Sequence, residues 1–199
     1  MAPRYVKLGE IADVLNGMSD TKQSEPDHKA GVISYRFLQP NHLGLFNDIH
    51  GASEIKRSSP IGDAYMIQKD DILLKRLNPD IATLITEDIL NTTFSGNLFV
   101  IRVNKAYSPA YVACLLENQR MFCLGSNIVG SVTAIKSVST KSLVSLEIPV
   151  IEYERQKKVG QMWLLYKKRK QLLNHFISED QRLMSAIINK VTTDVKEEE

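Results

Sequence analysis

Every proline of this chain lies at or before Pro149, and beyond it only one glycine, Gly160, remains. Proline and glycine are the residues that interrupt helices, so nothing stops a helix between Ile151 and Lys190. The residues before that point are punctuated throughout. The chain therefore divides into a globular head over 1–150, a long helix over 151–191 and a short acidic tail over 192–199 that is expected to be disordered.

The helix carries an apolar pattern that the head cannot cover. Heptads counted from Val159 place Val159, Tyr166, Leu173, Asp180 and Ile187 at one core position and Met162, Arg169, Phe176, Leu183 and Lys190 at the other. Arg169 and Asp180 break the seam, while Trp163, Ile177 and Met184 widen it beyond a strict two-position stripe. At 1.5 Å per residue, roughly 38 residues would reach about 57 Å, too far for the stripe to be buried along its whole length against the head. Part of it must meet another chain. Val159, Met162, Trp163, Tyr166, Leu173, Phe176, Leu183 and Ile187 are the expected dimerisation residues.

The head reads as α+β. Leu8, Ile11, Ala12 and Leu15 have helical spacing with Gly17 as a stop, and 32–38, 64–67, 72–76, 81–86 and 98–103 read as short strands. Asn78-Pro79-Asp80 and the stretch 91–97 read as turns between them. Ser108 can cap a helix that has Pro109 at its first position and Gly125 at its end. A last strand-like segment spans 143–150.

Composition excludes little: a formal charge of +2 neither demands nor forbids nucleic acid. The distribution is more telling. Arg155, Lys157, Lys158, Lys167, Lys168, Arg169 and Lys170 crowd the start of the long helix with no acid among them. Such a run is either a solvated face or a surface for an anionic partner. Cys114 and Cys123 fit neither a zinc knuckle nor a disulfide framework and suit a reducing compartment. With no bilayer-length apolar run and no signal-like N-terminus, the expected location is cytoplasmic, with no membrane partner.

Catalytic patterns are weak. Asn78-Pro79-Asp80-Ile81 lacks the aromatic that would stack on a flipped base. Pro26-Asp27 with Glu54-Ile55-Lys56 matches a loose metal-nuclease pattern, so a metal-dependent endonuclease using Asp27, Glu54 and Lys56 stands as the alternative function. The four histidines have no ligand spacing and no phosphate-binding loop is present. The chain reads as a binding module, with no catalytic or metal-ligating residues of its own.

The order of segments is more specific than any one of them. Val6–Val14 opens the chain, followed by Asp70-Asp71-Ile72-Leu73-Leu74-Lys75-Arg76 and Asn97-Leu98-Phe99-Val100-Ile101-Arg102-Val103. Then come Ser108-Pro109-Ala110-Tyr111-Val112 and the junction Leu146-Glu147-Ile148-Pro149-Val150 to Glu154-Arg155-Gln156. This order resembles the target-recognition domain plus conserved helix of the DNA specificity subunit of type I restriction–modification systems. Members of that family carry two recognition domains and two helices, and this sequence holds one of each, so it resembles a half-size subunit.

The resemblance implies a non-catalytic DNA-recognition protein that pairs with itself through antiparallel helices and reads a bipartite, palindromic site. It implies double-stranded DNA and a methyltransferase subunit as partners, with a restriction (motor and nuclease) subunit where the system has one. S-adenosylmethionine would be held by the methyltransferase, with no cofactor bound directly. Chemistry suggests Ser19, Thr21, Lys22, Gln23, Arg36, Lys75, Arg76, Ser131, Thr133 and Lys136 as the DNA-contacting residues, arginine and glutamine for base edges, lysine and serine for phosphate. Arg102, alternating with apolar strand neighbours, reads as structural.

Overall fold

The structure is a computed structural model that describes residues 4–18, 32–118 and 137–197. At its centre is an antiparallel sheet of four strands in the order β2-β8-β5-β6: Ala12–Asn16, Leu98–Val103, Ile72–Lys75 and Ala82–Leu84. The continuous apolar runs of β5 and β8 are explained by burial on both faces. Ile72, Leu74, Phe99 and Ile101 point into one core, and Leu73, Leu98 and Val100 point into another. The second core is closed by a three-stranded sheet, β4-β3-β7, made of Ser53–Arg57, Ile33–Leu38 and Thr92–Phe94. β1 (Arg4–Lys7) and β9 (Glu147–Val150) form a separate antiparallel pair.

The helices lie against the first core. α1 (Leu8–Ile11) and α3 (Thr140–Val144) are single turns, and α2 spans Pro109–Glu117. Ser108 is the N-cap of α2, accepting from Tyr111 N at 3.4 Å, with Pro109 in the first turn as the sequence predicts. α4 runs from Tyr153 to Glu197. Its 45 residues reach about 67 Å, and it is helical through 192–197, where the sequence suggested a disordered tail.

Several local expectations are corrected. The helix expected over Leu8–Leu15 ends at Ile11, and Ala12–Asn16 instead pairs with β8, Val14 opposite Ile101 and Leu15 opposite Val100. Five residues of ladder outweigh a helix too short to nucleate well. Residues 64–67 are a 3₁₀ turn (Asp63–Tyr65) followed by an isolated bridge at Met66. The stretch 91–97 contains a strand: Thr92-Thr93-Phe94 is fully buried and parallel to β3. Two further strands, β1 and β4, were not foreseen, and residues 143–150 divide between α3 and β9.

α4 packs beside α2 with the two helices running in the same direction. Near the start, Gln156 accepts from Ser108 N at 3.0 Å and donates to Ile151 O at 2.8 Å. One turn on, a Cβ at Gly160 would meet Ala110 Cβ at 2.6 Å and Tyr111 N at 2.9 Å, so only glycine allows the helices this close. At the far end of α2, Glu117 accepts from Trp163 Nε1 at 2.8 Å and from Lys167 Nζ, which also donates to Leu45 O at 2.7 Å.

Two sequence assignments change as a result. Trp163, expected on the dimerisation stripe, is buried in the head's own core. Lys167, expected in a basic surface cluster, is 4% exposed and bonded on two sides. The expectation that the rod outruns the head holds: from Leu172 to Thr193 every residue is exposed.

Candidate nucleic-acid interface

One end of the central sheet gathers the basic and amide side chains that suit a nucleic acid. It is formed by the last residue of β2 (Asn16), the exit of β5 (Lys75 and Arg76) and the Ser95-Gly96-Asn97 turn into β8. The chain crosses itself tightly here. Met18 N donates to Phe94 O at 3.0 Å, Gly96 N donates to Met18 O at 2.7 Å, and a Cβ on Gly17 would lie 2.1 Å from Ser95 O. That close approach, rather than a helix stop, is what requires glycine at 17.

Arg76 holds this rim together. Its Nε donates to Gly96 O at 3.0 Å, its Nη2 donates to Asn16 Oδ1 at 2.8 Å, and its guanidinium lies 4.2 Å from the centre of the Phe99 ring. Asn16 Oδ1 also accepts from Thr140 Oγ1 at 3.0 Å. The sequence assigned Arg76 to DNA contact; within the head its half-buried side chain is tied to Gly96, Asn16 and Phe99.

Lys75 and Arg36 differ from it. Lys75 is half-buried beside Arg76, and among the described residues no ion pair or hydrogen bond holds its ammonium. Arg36 lies on the exposed face of β3, opposite Glu54 on β4 and Thr92 on β7. Lys56, opposite Ser34, shares that face. Arg57 reaches back to the rim, its Nη2 3.9 Å from the Met18 sulfur. Two accessible basic surfaces are thus present among the described residues, the Lys75 rim and the Arg36–Lys56 sheet face.

The other predicted DNA contacts, Ser19, Thr21, Lys22, Gln23, Ser131, Thr133 and Lys136, lie outside the described residues. Their flanks do not. Met18 sits in the rim, and Ser137 pairs with Leu77 just beyond Arg76, with Val138 N donating to Arg76 O at 3.0 Å. The rim therefore includes Met18, adjacent in sequence to the predicted contacts at 19–23, and lies beside Ser137, adjacent to those at 131–136.

The endonuclease alternative gains nothing from the geometry. Asp27 lies outside the described residues. Glu54 and Lys56 face Ser34 and Arg36 across the strand rather than a second carboxylate, and Ser34 Oγ donates to Glu54. Among the described residues no group of three or more His, Cys, Asp or Glu could hold a metal ion. No helix among them is long and apolar enough to cross a membrane.

Arg102, read as structural from sequence, is so. Nε and Nη2 meet the two Asp71 oxygens at 2.8 Å each, and Nη2 also donates to Met66 O at 3.2 Å. The hydrogen bonds to Asp71 push its already high pKa further up. Asp71 additionally accepts from Gln68 N at 2.8 Å, so this fork ties the turn before β5 to β8. Burial likewise pushes up the Cys114 thiol and the Tyr111 phenol, the latter donating to Pro149 O at 2.7 Å.

This fold has counterparts among solved structures. The HsdS subunit from Thermoanaerobacter tengcongensis superposes with a TM-score of 0.63 at 17% identity, over 90% of this chain and 45% of that one. The fold is that of HsdS. A chain from a structure of the type I R-M system, described in terms of complex assembly and conformational transition, gives a TM-score of 0.63 at 18% identity over 94% of this chain and 45% of that one. This chain thus spans about half the length of these two chains. The sequence matches no family model and no curated protein.

Proposed function

We propose that this chain is a half-size specificity subunit of a type I restriction–modification methyltransferase. It reads one half of a bipartite DNA site with its head and pairs with a second copy through antiparallel α4 helices. The paired heads recruit a methyltransferase subunit that holds S-adenosylmethionine and transfers the methyl group. A restriction subunit joins the same assembly, and the chain itself is non-catalytic and cytoplasmic. Symmetry of the pair makes the site palindromic.

One observation carries this reading: a head and rod with the HsdS fold, at about half the HsdS length, leave the distal rod's large apolar residues uncovered. Phe176 is 69% exposed and Leu183 58%. Exposed apolar area on that scale marks an interaction surface. On the head, Arg36 supplies a fork suited to guanine edges, while Lys56 and Lys75 supply point charges for phosphate. Ser19, Thr21, Lys22, Gln23, Ser131, Thr133 and Lys136 complete the proposed contacts.

The test is methylome sequencing of cells that express this chain with its methyltransferase. The expected outcome is one palindromic motif, two half-sites separated by a fixed unspecified spacer, that disappears when this chain is deleted. An asymmetric or contiguous motif overturns the homodimeric reading. Methylation that persists without this chain overturns the specificity role.

A further inference from the structure

Lys167 links α4 to two separate parts of the head. Its ammonium bonds Glu117, the last residue of α2, and the carbonyl of Leu45. Leu45 belongs to a loop that is itself fixed: Asn47, at φ 64°, accepts from Leu84 N at 2.7 Å and donates to Leu84 O at 3.1 Å, while Asp48 accepts from Phe46 N at 2.9 Å. Trp163 completes the arrangement, donating to the second Glu117 oxygen at 2.8 Å with its ring 5.6 Å from the ammonium.

This is an unusual way to hold a helix. Apolar contact alone is non-directional and lets a helix roll or tilt at little penalty. A buried ammonium between a carboxylate and a backbone carbonyl tolerates neither, because losing either acceptor leaves a desolvated charge unpaired. The position matters as much as the chemistry. Gln171 is the last half-buried residue, so Lys167 is one turn from the point where α4 leaves the head. Beyond it about 26 residues extend unsupported for about 39 Å, and a tilt of about 10° there moves the tip by about 7 Å. That is roughly two base-pair steps of DNA at about 3.4 Å each.

We propose that the Lys167–Glu117–Trp163–Leu45 clasp sets the angle at which α4 leaves the head, making Lys167 and Glu117 positioning residues for the spacing between half-sites. The link to spacing rests on the paired-helix reading above; the fixing of the angle does not. Without the clasp the helix stays docked through Gln156 and Gly160 but swings, and two heads joined by swinging rods accept more than one spacer length.

The experiment measures both parts. Spin labels at Ser58 on the head and Gln181 on the rod, with Cys114 and Cys123 replaced by alanine and labelled chains diluted into unlabelled protein, report the distance within one chain. A single narrow distribution is expected for the parent chain, and a distribution at least about twofold broader for Lys167→Met, which keeps the aliphatic stem and removes the charge. Glu117→Gln, which keeps an acceptor for Trp163, is expected to broaden it in the same direction. Because Lys167→Met could instead loosen the head, urea unfolding of each variant is measured alongside. Narrow distributions in folded Lys167→Met and Glu117→Gln, or a broad one in the parent, overturn the clasp.

The same variants expressed with the methyltransferase are expected to keep both half-site sequences but methylate sites with two or more spacer lengths. A single unchanged spacer together with a broadened distance overturns the link to spacing. A parent chain that neither pairs in sedimentation nor directs methylation fails the functional reading instead, and leaves the distance measurement standing.

Discussion

Gln156, Gly160, Trp163 and Lys167 are buried in the proximal part of α4, whereas Leu173, Phe176, Leu183 and Ile187 stand exposed in its distal part. Both sets keep helical spacing along one continuous helix, four, three and four residues in the first and three, seven and four in the second, so periodicity does not separate them. Their chemistry is inverted with respect to burial. The docked set is an amide, a glycine, an indole and an ammonium, each with a specific partner in the head. The uncovered set is aliphatic and aromatic and exposed. The docked half is specified by directional bonds to one place, while the uncovered half carries the material of a larger, less directional interface.

Four variants probe that contrast. The largest effect is expected from Trp163→Ala, which empties a buried indole from the core and frees one Glu117 oxygen; urea unfolding should show the head destabilised by about 3–5 kcal/mol. A value near zero would erase the distinction between the halves. Phe176→Ser combined with Leu183→Ser should leave head stability within about 0.5 kcal/mol and abolish the dimer in sedimentation velocity. A destabilised head monomer would mean that the distal residues also serve the fold. The smallest effect belongs to Lys168→Ala. Adjacent to Lys167, it is exposed and bonded only to Gln171 at 3.0 Å, so its removal should shift stability by less than about 0.5 kcal/mol. Lys167→Met beside it should shift stability measurably.

The rod, β5, β8 and the capped start of α2 were legible in the sequence because each follows one local rule: unbroken helical residues, unbroken apolar runs, or Ser-Pro ahead of an apolar helix face. The remainder depended on long-range partners. Ala12–Asn16 has helical spacing, yet the strand it pairs with lies more than 80 residues away, Val14 opposite Ile101. Thr92-Thr93-Phe94 is a strand because β3 lies beside it, and its three residues between asparagines gave no periodic signal. At the candidate interface the same limit applies. Arg76 and Lys75 are neighbours of like charge in sequence, but only Arg76 lies over Phe99 and within reach of Gly96 O and Asn16. Lys167 looked like one cation in a cluster until Glu117 and Leu45, about 50 and 122 residues earlier, were placed against it.

The pairing of β1 with β9 closes the head on itself, with Arg4 opposite Val150 three residues before α4 begins at Tyr153. The way into the head and the way out onto the rod are therefore side by side. In the antiparallel pairing proposed above, the free end of each rod would run toward the partner's head. On that pairing a connector from the end of one rod to the start of the partner's β1 would join the two copies without repacking either core, so one copy and two fused copies would differ by one peptide linker.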